Sequence, residues 1–224
     1  KNKKPNIIIY LSDTLRADHL GSYGYKTNTS PNIDRFAEES VIFENAYSPA
    51  PWTIPSIGSL FTGVSTLVHQ IGIVGDKELH QVRLSINTLA EILKSQGYNT
   101  GAFFSNMILT EETGFHQGFN HQVLDFQELI SKNPTYPDLV KYSMEWIGKL
   151  NPNRPIFAFI HEFDPHFPYI PEKSLFKSLY GVSVEESYSS LPESDKNLLS
   201  WFGDDWKDIL IHKKSLFDLS TQGN

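Results

Sequence analysis

The 224-residue sequence predicts an α/β fold with a mainly parallel sheet. Short apolar runs rich in β-branched and aromatic residues alternate along the chain with amphipathic segments that carry helix-capping signals. Three polar residues, Asp13, Asn106 and His161, follow predicted strands closely. Ligands of parallel sheets bind at the carboxyl ends of the strands, so this pattern also predicts a functional site at that edge.

Composition restricts the possible partners. Hydrophobic residues make up 39% and charged residues 20% of the chain, which is typical of a folded domain. The net charge of −7 argues against nucleic-acid binding, so an anionic ligand would need a local positive potential from a metal, a helix N-terminus or a few basic side chains. The absence of cysteine excludes disulfides and thiolate sites, and no apolar run predicts a membrane span.

The first elements follow from local signals. Residues 6–11 are an apolar run that predicts a buried strand ending at Ser12 and Asp13. Ser30 as N-cap and Pro31 at the first helical position predict a helix. Residues 41–43 are predicted as a second strand. The apolar side chains of the predicted helix share one face: Ile33, Phe36 and Ala37.

A helix is predicted after Trp52, with Gly63 as its stop signal. Its inward-facing residues are Ile54, Ile57, Leu60 and Phe61. Thr53 stands at the start of this helix, where two interpretations are open. It is either an ordinary cap, as most threonines before helices are, or a nucleophile held near the free N–H groups of the first turn.

The rest of the chain continues the alternation. Thr88 and Glu91 have the spacing of a capping box, and the helix that they open is predicted to end at Gly97. The remaining predicted elements are a strand at 98–104, a helix at 137–150, a strand at 156–160, and short helices at 171–179 and 191–199.

Four segments, in this order, resemble sulfatases of the alkaline phosphatase superfamily. Residues 13–24 resemble the family's opening metal segment, and residues 53–63 resemble its nucleophile signature. Residues 88–98, with Asn106 beyond them, resemble the next helix and strand. Residues 161–169 resemble the histidine-bearing loop that faces the substrate. Each motif is only moderately specific, but together they are a strong signal.

This resemblance implies a fold and an activity. The fold would be an alkaline-phosphatase-like three-layer sandwich, with residues 1–224 forming the N-terminal portion of one sulfatase-like domain whose C-terminal part is missing. The activity would be metal-dependent hydrolysis or transfer of sulfate or phosphate esters, on a small anionic ester substrate. The resemblance also implies a periplasmic or extracellular protein.

The resemblance further assigns roles to particular residues. Asp13 and Thr53 would hold a divalent metal (Ca, Mn, Mg or Zn), and Thr53 would also be the nucleophile. His166 would face the substrate as a hydrogen-bond donor or general acid. Substrate-binding roles would fall to three further residues: His161, His69 and Asn106.

The departures from the family pattern limit these expectations. Thr53 cannot yield the formylglycine of true sulfatases, which is made from Cys or Ser, and this favours phosphorus chemistry. Ile57 replaces the family's arginine, and Thr14 replaces the second aspartate of the metal pair. A non-catalytic binding domain of the same fold therefore stays as an alternative.

Length is a further departure. A later segment of the family, with an Asp-His-Gly-Glu type of motif, normally completes the metal site, and no such motif occurs here. We therefore expect this chain alone to bind metal weakly or not at all and to be inactive. An incomplete sheet would also expose an edge and an apolar face, which predicts self-association.

Overall fold

The computed structural model describes residues 4–72, 74–75, 78–79, 82, 86–104, 113–123, 136–163, 165–166, 173–183, 186 and 189–190. The chain divides into two compact units: residues 1–13 with 46–163, and residues 14–45 with 164–224. The expectation of one domain over residues 1–224 is not tested by this division and stays a prediction. In the part of the chain that the structure describes, no helix is long and apolar enough to cross a membrane.

The first unit contains a four-stranded sheet in which every pairing is parallel. A separate antiparallel pair is formed by β2 (Val74–Gly75) and β3 (Glu78–Leu79). The strands of the main sheet, in their spatial order, are β1 (Ile7–Ser12), β6 (Ile156–Glu162), β4 (Asn99–Phe104) and β5 (His121–Val123). The predicted parallel sheet is therefore confirmed, with β1 at one edge of the strands described.

Four helices lie in the described residues of the first unit: α2 (Thr53–Thr62), α3 (Thr66–His69), α4 (Leu89–Ser95) and α5 (Tyr136–Gly148). Two of these helices have the predicted boundary signals, one at the end of α2 and one at the start of α4. Gly63 terminates α2 in the left-handed conformation, with φ of 65°. Thr88 and Glu91 form the predicted capping box, because each side chain accepts a hydrogen bond from the other residue's backbone N–H.

Alternation along the strands gives the sheet two apolar faces. Phe157 and Phe159 of β6 pack in one core cluster with residues of α2 and α4, such as Phe61. Ala158 and Ile160 of the same strand point into a second cluster, which includes residues of α5. Because successive side chains of a strand point to opposite faces, a sheet covered by helices on both sides forms three layers. This is the predicted sandwich.

The second unit is described by α1 (Pro31–Ala37), α6 (Lys173–Tyr180) and two 3-10 turns at Ala17–His19 and Gly21–Tyr23. Asp34 ties α1 to the second of these turns. Its carboxylate accepts hydrogen bonds from the Ser22 N–H at 2.7 Å and from the Ser30 hydroxyl at 3.0 Å. Ser30 is the predicted N-cap, but its side chain makes no capping bond, because the hydroxyl bonds Asp34 and the Gly21 N–H instead.

One prediction in the second unit is wrong, and the apolar face of a second predicted element is open to solvent. Residues 41–43 form no strand, and Val41 and Phe43 are 80% and 70% exposed. The predicted apolar face of α1 is also exposed, as Ile33 and Phe36 show. A segment with local β propensity forms a strand only when it can pair with a neighbouring strand. Residues 41–43 have no such partner in the part of the chain that the structure describes. The predicted helix at 191–199 lies outside the described residues.

Candidate functional site

Asp13 lies at the carboxyl end of β1, as predicted, and its backbone is held by the neighbouring strand. The pairing of β1 with β6 aligns Leu11 with His161 and Ser12 with Glu162. It continues one step further, since the Asp13 N–H donates to the Glu162 carbonyl at 3.0 Å. The Asp13 side chain is buried, with 7% of its residue surface exposed.

Thr53 is the first residue of α2, and its hydroxyl contacts Asp13 directly. Thr53 Oγ1 donates a hydrogen bond to Asp13 Oδ2 over 3.0 Å, although 40 positions separate the two residues. The interpretation of Thr53 as an ordinary N-cap is wrong, because Trp52 occupies the cap position. A residue at the first helical position lies beside backbone N–H groups that have no partner within the helix. The hydroxyl is half-buried, and it lies where a negative charge would be stabilised.

His161 approaches the same carboxylate from β6. Its Nε2 lies 3.2 Å from Asp13 Oδ2, so this one oxygen contacts both the hydroxyl and the imidazole. The sequence predicts that His161 follows the strand, whereas β6 continues through it to Glu162. The ring is fully buried. This position does not favour direct contact with a substrate, and the substrate-binding role of His161 stays a prediction.

The two predicted metal ligands, Asp13 and Thr53, lie next to each other. The Asp13 carboxylate and the Thr53 hydroxyl are adjacent oxygen donors of the kind that hard divalent cations prefer. However, the described residues contain no group of three or more acidic, histidine or cysteine side chains that could hold a metal ion. The two predicted ligands thus fit a metal in type and proximity, but they supply only part of a coordination shell.

His69 lies beneath α2 and has both ring nitrogens engaged. Nδ1 accepts a hydrogen bond from the Ile71 N–H, and Nε2 lies 2.9 Å from Ser59 Oγ. Because Nδ1 accepts, Nε2 carries the proton and donates it to Ser59. Burial lowers the pKa of His69, and the nearby Pro55 carbonyl opposes this shift in part. These contacts support the helix, and the predicted substrate-binding role stays untested.

The other two predicted site residues are Asn106 and His166. Asn106 lies outside the described residues. His166 belongs to the second unit and is half-buried in a bend. Their substrate-facing roles stay predictions.

Sequence reasoning missed a second buried carboxylate, at the end of the strand that carries His161. Glu162, the last residue of β6, accepts a hydrogen bond from the Ser12 hydroxyl on the neighbouring strand. Only 6% of Glu162 is exposed. The strand alternation places it on the opposite face from His161. The sequence contained one sign of this carboxylate, because Glu162 directly follows His161 and continues the alternation of side chains along β6.

The positions that depart from the family pattern have clear surroundings. Ile57, which replaces the arginine, is 1% exposed in the core cluster that α2 shares with the sheet. Thr14, which replaces the second aspartate, has a left-handed backbone with φ of 55°. In the second unit its hydroxyl donates to the Pro165 carbonyl at 3.1 Å. Ile57 therefore offers no polar group, and Thr14 uses its hydroxyl within the second unit.

Comparisons with known proteins match most of the chain to one family. A model of the sulfatase family matches residues 5–178. The arylsulfatase of Clostridium perfringens (strain 13 / Type A) is 35% identical over 120 residues, which cover 53% of this chain and 24% of the relative. The chain therefore corresponds to about a quarter of that relative's length.

Solved structures show the same fold. The structure of BT4656 in complex with D-glucosamine-2-N,6-O-disulfate has a TM-score of 0.63 at 22% identity, covering 79% of this chain and 38% of that one. The phosphonate monoester hydrolase of Agrobacterium radiobacter has a TM-score of 0.59 at 18% identity, covering 74% of this chain and 42% of that one. At these identities the likeness shows the fold alone.

Proposed function

The chain belongs to the sulfatase family, and from this membership we propose that it carries the nucleophile of a sulfate- or phosphate-ester hydrolase or transferase. The proposed nucleophile is Thr53. One observation carries the proposal: the Thr53 hydroxyl donates to Asp13 Oδ2 at 3.0 Å, at the first residue of a helix and at the carboxyl end of a parallel strand. A nucleophile in hydrogen-bond reach of a base is the arrangement that activates a weak hydroxyl.

The proposed chemistry is substitution at phosphorus or sulfur. Thr53 Oγ1 attacks the ester's central atom while its proton passes to Asp13 Oδ2. The bond from that atom to the leaving oxygen breaks, and the leaving alcohol takes a proton from a general acid, for which His166 is our candidate. Water or an acceptor alcohol then attacks the same atom and gives its proton to His166, while Thr53 Oγ1 leaves and takes back the proton held by Asp13. Water releases phosphate or sulfate, whereas an alcohol yields a new ester. Free N–H groups of the first turn of α2 stabilise the added negative charge.

Asp13 and Thr53 would hold the divalent metal that the family uses. When bound, such an ion favours loss of the hydroxyl proton and screens the charge of the ester. We propose that the 224-residue chain alone binds Ca, Mn, Mg or Zn weakly and is inactive, since two ligands hold a cation poorly. Metal analysis of the purified chain tests this, and one tightly bound ion per chain would overturn it.

Thr53 also bears on the choice of ester. A threonine cannot become formylglycine, and a Thr oxygen attacking phosphorus is ordinary phosphoryl-transfer chemistry. We therefore propose a phosphate ester over a sulfate ester as the preferred substrate. The discriminating assay compares an aryl phosphate with an aryl sulfate, using the 224-residue chain and any longer natural polypeptide that contains it.

The test of the nucleophile is Thr53→Val, which keeps the shape and removes the hydroxyl, made in a catalytically active polypeptide that contains the chain. We expect turnover to fall by roughly 10³-fold or more, as for other lost nucleophiles. Thr53→Ser should keep measurable turnover. The matched control is Thr62→Val at the other end of α2, where the hydroxyl bonds only the backbone nearby. Unchanged turnover in Thr53→Val would remove Thr53 from the mechanism.

A covalent intermediate gives independent evidence. Rapid acid quenching during turnover should trap a phosphoryl or sulfuryl group on Thr53, detected by peptide mass spectrometry. Thr53→Val should show no modified peptide, whereas Thr62→Val should show the same modification as the wild type.

Burial of Ile57 favours a second candidate, a non-catalytic binding domain that keeps the fold. Position 57 offers only an apolar side chain to the core, where the family pattern has an arginine. Absence of turnover in every polypeptide that contains the chain, with aryl phosphate binding unchanged by Thr53→Val, would favour this candidate over the enzyme.

We also propose an exported location and self-association. The resemblance to sulfatases supports a periplasmic or extracellular protein, which cell fractionation tests. Self-association is supported by β1, where Ile8 is 57% exposed and Tyr10 45% exposed at the edge of the strands described. Exposed apolar side chains on an edge strand favour pairing with a second copy.

A further inference from the structure

The backbone and the carboxylate of Asp13 are held by different hydrogen-bond partners. Its backbone is held by β6 through the N–H bond to Glu162, and this bond does not by itself fix the side-chain torsions that orient the carboxylate. Among the contacts of the carboxylate are two that meet at the same oxygen. Thr53 Oγ1 lies 3.0 Å and His161 Nε2 lies 3.2 Å from Asp13 Oδ2.

The contact with His161 has a defined direction. An ionised carboxylate can only accept hydrogen bonds, so the imidazole nitrogen that faces it must carry a proton. His161 is fully buried, and its ring stacks nearly parallel to that of Phe159, with centroids 6.1 Å apart. The ring is therefore fixed by its surroundings and unable to reach a ligand that arrives from solvent.

We propose that His161 is a positioning residue that acts through Asp13. Its Nε2–H holds Oδ2 where the Thr53 hydroxyl can reach it, and the other carboxylate oxygen is thereby directed as well. The effect of His161 on catalysis rests on the proposed function of Thr53. The hydrogen bond between His161 and Asp13 is independent of that function. Loss of a comparable supporting hydrogen-bond partner typically lowers activity or metal affinity by about 10- to 100-fold.

Imidazole nitrogen NMR of the 224-residue chain tests the hydrogen bond without any activity. We expect His161 Nε2 to be protonated in the wild type and its proton to exchange slowly with water. Asp13→Ala should shift this proton and speed its exchange. A wild-type ring with an unprotonated Nε2 would overturn the proposal, and this measurement does not depend on whether the variant folds. An unchanged signal in a folded Asp13→Ala would overturn it too.

Two substitutions separate the hydrogen bond from packing. His161→Leu fills most of the volume without a donor, whereas His161→Gln keeps an N–H donor. The control is Phe159→Leu, which loosens packing on the same face of β6 but keeps the imidazole. In Phe159→Leu the Nε2–H signal of His161 should persist. Its disappearance there, with the fold retained, would mean that packing and not Asp13 holds the ring.

Kinetics in a catalytically active polypeptide that contains the chain test the consequence. His161→Leu should lower kcat by about 10- to 100-fold with little change in KM, and His161→Gln should recover part of the loss. A substrate-binding role predicts the opposite, a raised KM with kcat nearly unchanged, and would overturn the positioning role. If Thr53→Val keeps full turnover, the proposed function fails, while the NMR measurements still decide the hydrogen bond.

Discussion

At the scale of single residues, His69 shows how a motif position can act in support of its helix. Its ring lies beneath α2 and links Ser59 of that helix to the backbone at Ile71. A methyl group added at Gly58 would lie 3.2 Å from the ring, so the helix and the ring pack closely. The histidine therefore couples α2 to the segment that follows α3.

The pH dependence of stability follows from this environment. Burial lowers the pKa of His69 from its ordinary value of 6.5, so the native state stays neutral where the unfolded chain takes up a proton. The stabilising contribution is therefore complete above pH 6.5 and is lost as the pH falls towards and through the native pKa.

We predict that His69→Gln removes this dependence, because glutamine has no proton to gain. Urea unfolding at a series of pH values measures it: the difference in unfolding free energy between wild type and variant should be constant above pH 6.5 and shrink below it. Ser59→Ala is the control, since it removes a hydrogen bond of about 1 kcal/mol at every pH and no titrating group. A difference in unfolding free energy that does not change with pH would contradict the prediction.

At the scale of elements, the backbone of the turn before β5 packs directly against the backbone of the first turn of α4. The Thr88 hydroxyl that caps α4 also donates to the Gln117 carbonyl at 3.1 Å. A methyl group added at Gly118 would lie 2.2 Å from the Glu91 backbone nitrogen. Only glycine permits this approach, so the contact between helix and turn depends on one missing side chain.

Gly97 is a matched reference for Gly118, because both have φ of 87° and only Gly118 has close neighbours. We predict that Gly97→Ala destabilises by about 1–2 kcal/mol through its left-handed backbone alone. Gly118→Ala should destabilise by about 1–3 kcal/mol more, because the added methyl group must displace backbone. Urea midpoints of the two variants measure the difference. Equal losses would show that the close approach relaxes without penalty.

At the scale of the whole molecule, the sheet edge at β1 governs how copies of the chain should interact. Ile8 and Tyr10 lie opposite Ala158 and Ile160 of β6, on the face that α5 covers elsewhere. Both are substantially exposed, whereas Ala158 and Ile160 opposite them are buried.

We predict concentration-dependent self-association of the chain through this face. Light scattering behind size exclusion measures it, and the double variant Ile8→Lys with Tyr10→Lys should shift the protein towards monomer, because lysine blocks edge pairing. Leu67→Lys is the control, since Leu67 is an exposed apolar residue of α3 and belongs to no strand. A monodisperse wild-type monomer at all concentrations, or an equal effect of Leu67→Lys, would contradict the prediction.

Much of the first unit could be predicted from sequence because its signals are local. The strand at β1, the capping box at Thr88 and the stop at Gly63 each depend on a few neighbouring residues. Residues 41–43 show the limit, since their β propensity is local but a strand also needs a partner. The first turn of α2 shows it as well: a threonine before apolar residues predicts a cap, whereas the chain uses Trp52.

For the candidate site, the sequence by itself determined which chemical groups are present and that they follow strands or begin a helix. It also determined the family, through motifs that are contiguous in the chain. Only the tertiary structure decided that Thr53 and His161 meet on one oxygen of Asp13 and that His161 is buried. The reason is physical: these contacts depend on the register of β1 against β6, about 150 residues apart, and on the docking of α2, and such long-range packing leaves no trace in local periodicity.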